Sequence, residues 1–210
     1  MKKPALLAAL LGAAFLATAA QAQTQAPPPA ATRSEGAFFG AGVMSVNSEV
    51  GNNIASAFPG ASTENQSTGY KMYGGYMWGN WGVEIGYYDL GLFEVKMSGA
   101  TSDKFESKAG TLSAFYAAPF AGSGMIFLKA GAAYIAADYS CVSLCGAPFT
   151  NTQKNSTSLL TAFGVGWRLT PGIMLRGDVE RFHDVKYTVG TAGEFKGPID
   201  LVELSLHFDF

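Results

Sequence analysis

Arg176, Asp178 and Glu180 follow one another at a spacing of two, and Glu203, Ser205, His207 and Asp209 do the same. That spacing puts side chains on one face of an extended strand. Glu84, Lys129 and Arg168 stand in similar runs, with Val83 and Ile85, Leu128 and Ala130, or Trp167 and Leu169 on either side. Charges of both signs gathered on one enclosed face could lock as ion pairs or line a narrow path for ions. A buried charge left without a partner costs several kcal/mol, so pairing is the expectation. A nucleophile–base reading has less to work with, since His183 and His207 are the only histidines. His207 shares its face with Asp209, but His183 has no Ser on its own face, so a hydroxyl partner would have to come from another strand. Cys141 and Cys145 are the only cysteines. In an oxidising compartment a disulfide closing this small loop is expected. No His or third Cys lies near them, so neither a metal site nor a cofactor is expected.

The elements that would position these residues are strands. IDLVELSLHFDF, residues 199–210, sets Val202, Leu204, Leu206, Phe208 and Phe210 on one parity and Leu201, Glu203, Ser205, His207 and Asp209 on the other. A period of two with unlike faces is a strand between two different environments.

The opening residues read as a secretory signal peptide over 1–22: Lys2 and Lys3, an apolar run from Ala5 to Ala19, then Ala20-Gln21-Ala22 as a cleavage site. Residues 23–35, rich in Pro, Ala and Gln, read as a flexible leader. Losing Lys2 and Lys3 takes the balance from 14 basic against 16 acidic residues to 12 against 16. A mildly acidic chain offers no basic patch for nucleic acid. Only 14% of residues are charged, while 26 are Gly and 13% are aromatic. Past the signal, Pro119, Gly122-Ser123-Gly124 and Lys129 interrupt the one long apolar stretch, Ala109 to Ala137. A greasy, exported chain without a spanning helix can satisfy its backbone in lipid only as a closed barrel.

Alternation predicts eight strands: Ala37–Val46, Tyr70–Trp78, Trp81 to about Glu94, Lys104–Ala118, Met125–Tyr139, Thr157–Leu169, Ile173 to about Val185, and Ile199–Phe210. Polar stretches at Asn47–Thr68, Met97–Asp103, Ser140–Ser156 and Tyr187–Pro198 alternate with tight turns at Gly79-Asn80, Pro119–Gly124 and Thr170-Pro171-Gly172. Long and short connections in strict alternation describe an up-and-down barrel with its loops on one side of a membrane. Trp78, Trp81 and Trp167 all abut short turns with outward parity, and Phe208 ends the last strand at the same level. They read as half of an aromatic girdle. By the same parity Glu84, Lys129, Arg168, Arg176, Asp178, Glu180, Glu203 and His207 enter the lumen. Arg176 and Glu203 do so from neighbouring strands.

WGVEIGYYDLG (81–91) and GVGWRLTPGIMLRGDVERF (164–182) resemble segments of the OmpA/OmpX-like outer-membrane barrels, and the similarity runs from residue 36 to 210. The resemblance implies an all-β, eight-stranded antiparallel up-and-down transmembrane β-barrel over 36–210 in the bacterial outer membrane. It implies that Leu206, Phe208 and Phe210 form the terminal signal read by the barrel-assembly machinery. It also implies outer-membrane lipids, lipopolysaccharide included, as surroundings. A peptidoglycan-binding domain after Phe210 is not expected, and cell-wall tethering is not carried over from the resemblance. A non-enzymatic monomer is expected, presenting four loops to an extracellular ligand whose identity the loops do not reveal. A narrow porin-like channel is the alternative, and a lipid-A-modifying barrel enzyme the third reading.

Overall fold

The computed structural model describes residues 35–49, 52–53, 56, 61–97, 103–141, 150–189 and 193–210. Nine strands form one sheet: β1 (Gly36–Ser48), β2 (Ala61–Glu64), β3 (Gln66–Trp78), β4 (Trp81–Met97), β5 (Asp103–Phe120), β6 (Gly124–Cys141), β7 (Thr150–Thr170), β8 (Ile173–Val189) and β9 (Gly193–Asp209). Eight of them run antiparallel around a ring, β4-β3-β1-β9-β8-β7-β6-β5, and the β4–β5 pairing closes it. The first strand meets the last, Gly40 opposite His207 and Val43 opposite Leu204. Closure leaves the ring itself without an open edge. The small ninth strand, β2, pairs with Glu94–Met97 at the far end of β4.

The short connections are hairpins. Gly79 turns β3 into β4 at φ +60°, a backbone conformation that glycine adopts without penalty. At the opposite end the strands run further than alternation of apolar residues predicts. Expected loop residues form β2 and the start of β3, while β7 begins at Thr150, β8 reaches Val189 and β9 starts at Gly193. The reason is that backbone pairing does not require apolar side chains. Thr-rich polar segments extend the ladder once their neighbours hold it in register, although their composition resembles loop. Strands of 13 to 21 residues thus exceed the about 9–11 that a tilted crossing needs. The signal peptide (1–22), most of the leader (23–35), and the Cys141–Cys145 pairing fall outside the described residues; of Cys141 only the backbone is included.

The outer wall is apolar, with Val43, Ile85, Leu112, Leu128, Phe163, Val179 and Val202 exposed on it. The interior is packed in three levels. A cluster of Phe38, Tyr73, Met77, Phe115, Ala117, Met125, Phe127 and Met174 fills the short-turn end. A second, including Tyr88, Leu90, Phe93, Phe105, Ile135, Leu160, Phe182 and Leu201, fills the long-loop end. Charged side chains lie between them. Inward glycines make room at this level: a Cβ on Gly164 would come within 1.9 Å of Asp178 Oδ1, and one on Gly40 within 2.2 Å of the Tyr73 ring.

Candidate functional site

The charged level is assembled from five strands. Lys71 comes from β3, Glu84 from β4, Lys129 from β6, Arg176, Asp178 and Glu180 from β8, and Glu203 from β9, all of them buried. Each alternates with residues of the lipid-facing wall, so the same period that creates the greasy exterior delivers them inward.

Glu84 is the hub for cations. Its Oε1 lies 2.9 Å from Lys129 Nζ and 3.7 Å from Lys71 Nζ, and its Oε2 accepts from Arg176 Nη1 at 3.1 Å. Lys71 also donates to Glu180 at 2.9 Å and to Glu203 at 2.7 Å. Lys129 pairs with Glu180 as well, and Tyr88 donates to the other Glu180 oxygen at 2.8 Å. Arg176 Nε lies 2.8 Å from Asp178 Oδ2, and its guanidinium sits over Phe127 and Tyr73, 4.4 Å and 5.3 Å from the ring centroids. Lys71 is held over the Tyr73 ring at 4.6 Å. Charges removed from water are offset here by several partners each, the arrangement that buried ion pairs require.

Of the eight charged residues that parity directs inward, six meet in this layer: Glu84, Lys129, Arg176, Asp178, Glu180 and Glu203. Arg168 and His207 stand apart, nearer the short turns. Arg168 Nη1 lies 3.0 Å from Asp209 Oδ2 and donates to the Pro171 carbonyl at 2.8 Å. His207 Nε2 lies 3.0 Å from Asp209 Oδ1, and its ring stacks on Phe38 at 4.8 Å. Lys71 is the residue that sequence reasoning missed. It was legible, since Lys71 has the parity opposite to outward Trp78 on the same strand. Lys71 is the cation beside Glu203, while Arg176, inward on the neighbouring strand, is taken up by Asp178 and Glu84.

On the outside, Trp78 and Trp81 are exposed next to their turn, Trp81 packing edge-on to Tyr116 at 5.0 Å. Trp167 meets Phe120 at 6.4 Å, and Phe208 is half-buried beside them in the sequence of levels. Leu206 and Phe210 are exposed. Tyr70 and Tyr87, 6.4 Å apart, and exposed Tyr134 mark the other end of the apolar wall. His183 does find a hydroxyl on another strand, Thr161 Oγ1 at 2.9 Å from Nε2.

The sequence model of the OmpA-like transmembrane domain matches residues 33–210. The chain belongs to that family. Its fold is similar to that of solved outer-membrane barrels. Neisserial surface protein A has a TM-score of 0.55 at 17% identity, covering 84% of this chain and 100% of that one. Pseudomonas aeruginosa OprG gives 0.55 at 13%, covering 84% and 96%. Ail, the attachment invasion locus protein of Yersinia pestis, gives 0.51 at 13%, covering 84% and 100%. No curated protein shows a significant match. The chain is thus an eight-stranded barrel of the outer-membrane type, a group whose members are not typically enzymes.

Proposed function

We propose that this barrel is a structural and surface-interaction protein of the outer membrane, with a lumen closed by its ion-pair layer and four loops presented outside. The observation that carries this reading is the layering. Mutually paired charges lie between two apolar clusters, so a water-filled path would have to open three packed levels at once. An eight-stranded barrel has an interior just wide enough for side chains to fill. The short turns then face the periplasm and the long connections the exterior. Export follows cleavage after Ala22, the assembly machinery reads the terminal strand, and the mature protein stands as a monomer among outer-membrane lipids, lipopolysaccharide included. Its ligand is a surface molecule met by the loops, and no nucleic acid is involved.

Planar-bilayer recording tests the closed lumen. Wild-type protein should be silent, and Glu84→Ala or Arg176→Ala should leak if anything does. Reproducible wild-type openings that scale with salt and persist in both variants would replace this reading by the narrow channel. The Thr161–His183 contact gives the lipid-modifying reading its one foothold. Mass analysis of lipid A from cells overexpressing the protein should show no change, and a change abolished by His183→Ala would establish an enzyme.

A further inference from the structure

The lumenal layer does not balance. Among the described residues Glu84, Asp178, Glu180 and Glu203 are matched in this layer by Lys71, Lys129 and Arg176, and all seven are buried. Fully ionised, the layer would hold one excess negative charge away from water, which is costly. The excess has a location. Asp178 and Glu203 are directly opposed across the β8–β9 ladder, both side chains inward. Like charges in that position repel. One oxygen from each of Asp178, Glu180 and Glu203 falls within 4.8 Å of the others. Glu203 Oε1 is buried with no hydrogen-bond partner among the described residues, while Asp178 Oδ2 is ion-paired with Arg176 Nε at 2.8 Å.

A metal ion fits poorly. Lys71 Nζ, 2.7 Å from Glu203 and 2.9 Å from Glu180, already fills the cation position between those two. We propose that Asp178 and Glu203 form a proton-binding site, holding one proton between them at neutral pH. The pair takes that proton from solvent water, and an O–H bond on one carboxylate then donates to an oxygen of the other. Four acids carrying three charges match three cations, and the unpartnered Glu203 oxygen acquires a partner. Also buried in the lumen around the pair are Arg176 and Glu180 on β8, Lys71 and Tyr73 on β3, Glu84 and Tyr88 on β4, and Lys129 on β6, with His207 on β9 nearer the short turns. At this level β1 and β7 contribute glycines, Gly42 beside Ser205 and Gly164 beside Asp178. The proposal stands whether or not the lumen conducts.

At neutral pH the folded chain holds one proton that the unfolded chain, with carboxyls titrating near 4, has released. The pair's contribution to stability is therefore full below about pH 4 and falls as pH rises above that, by about tenfold in the folded-to-unfolded ratio per pH unit, until the folded pair releases its proton.

The experiment is infrared spectroscopy on the refolded full chain in lipid bilayers at pH 7. Wild type should show a protonated-carboxyl C=O stretch, clear of the amide band and shifted in D2O. Glu203→Gln and Asp178→Asn should lack it while retaining the gel migration of a folded barrel. Absence of the band in folded wild type, or its persistence in both variants, overturns the proposal. Should neither variant fold, wild type alone decides. Reversible unfolding in urea must show the one-proton loss of stability on going from neutral to alkaline pH, and a flat profile overturns the site.

Discussion

Lys71 on β3 reaches past β1 to set its ammonium 2.7 Å from Glu203 on β9. Gly42, which pairs with Lys71 on one side and Ser205 on the other, leaves the crossing open. The contact joins two strands that are not neighbours, so the layer braces the barrel across its seam.

The number of partners sets the order of mutational costs. Glu84→Ala removes a carboxylate within 3.7 Å of three cations, Lys71, Lys129 and Arg176. The expected loss is about 3–5 kcal/mol, the range for breaking a buried pair. Glu203→Ala should cost less, because Lys71 keeps Glu180 at 2.9 Å. Urea titrations of refolded barrels would check the order. A larger loss at Glu203 would show that Lys71 depends on that one partner.

Gly42→Val should prevent closure or weaken it severely. Even a Cβ there would lie 2.6 Å from the Leu204 carbonyl oxygen and 2.6 Å from Ser205 Cβ. Overpacking of this kind costs typically about 1–3 kcal/mol, and backbone offers less room to yield than a side chain. Gly110→Ala is the control, since no atom lies within 4 Å of a Cβ at that position. The fraction of protein with shifted migration when unboiled reports folding of each.

Much of this was legible. Val202, Leu204 and Leu206 against Leu201, Glu203 and Ser205 give both faces of β9, and parity alone directs eight charged residues inward, six of which meet in one layer. Parity assigns a face but says little of depth or partner. Phe38, Phe115, Phe127, Leu90 and Phe182 share the inward parity of the charges, so their sorting into caps above and below depends on strand register. The pairing of Lys71 with Glu203 depends on it too. The polar ends of β7, β8 and β9 were hidden for another reason: outside the membrane no face need be apolar, and the period disappears while the ladder continues.

Leu204→Arg should destabilise by about 2–4 kcal/mol if Leu204 lies near the bilayer midplane, where charge on the lipid face costs most. Leu204 is exposed on the outer wall, opposite Val43 on β1 and Gly177 on β8. Thr68→Arg, beyond Tyr70 on β3, should cost less than about 1 kcal/mol, since the penalty fades toward the interface. Unfolding titrations in lipid vesicles distinguish the two, and equal costs would mean that the apolar wall is not the membrane-spanning band.

Deleting Phe210 separates stability from assembly. The side chain is 80% exposed, and the residue's described hydrogen bond runs from its backbone N to the Ala37 carbonyl at 3.0 Å. An exposed side chain contributes little to packing, so the refolded protein lacking Phe210 should unfold within about 0.5–1.5 kcal/mol of wild type, the worth of one hydrogen bond. Outer-membrane yield in cells should nevertheless fall severalfold, because the terminal aromatic is what the assembly machinery would read. Asp209 is a poor control, being tied to Arg168 and His207. Exposed Glu106 on β5, substituted by Gln, serves instead and should leave yield unchanged. Unchanged yield without Phe210 would remove its role as a signal, and a large loss of stability in the refolded protein would assign the residue to the fold instead.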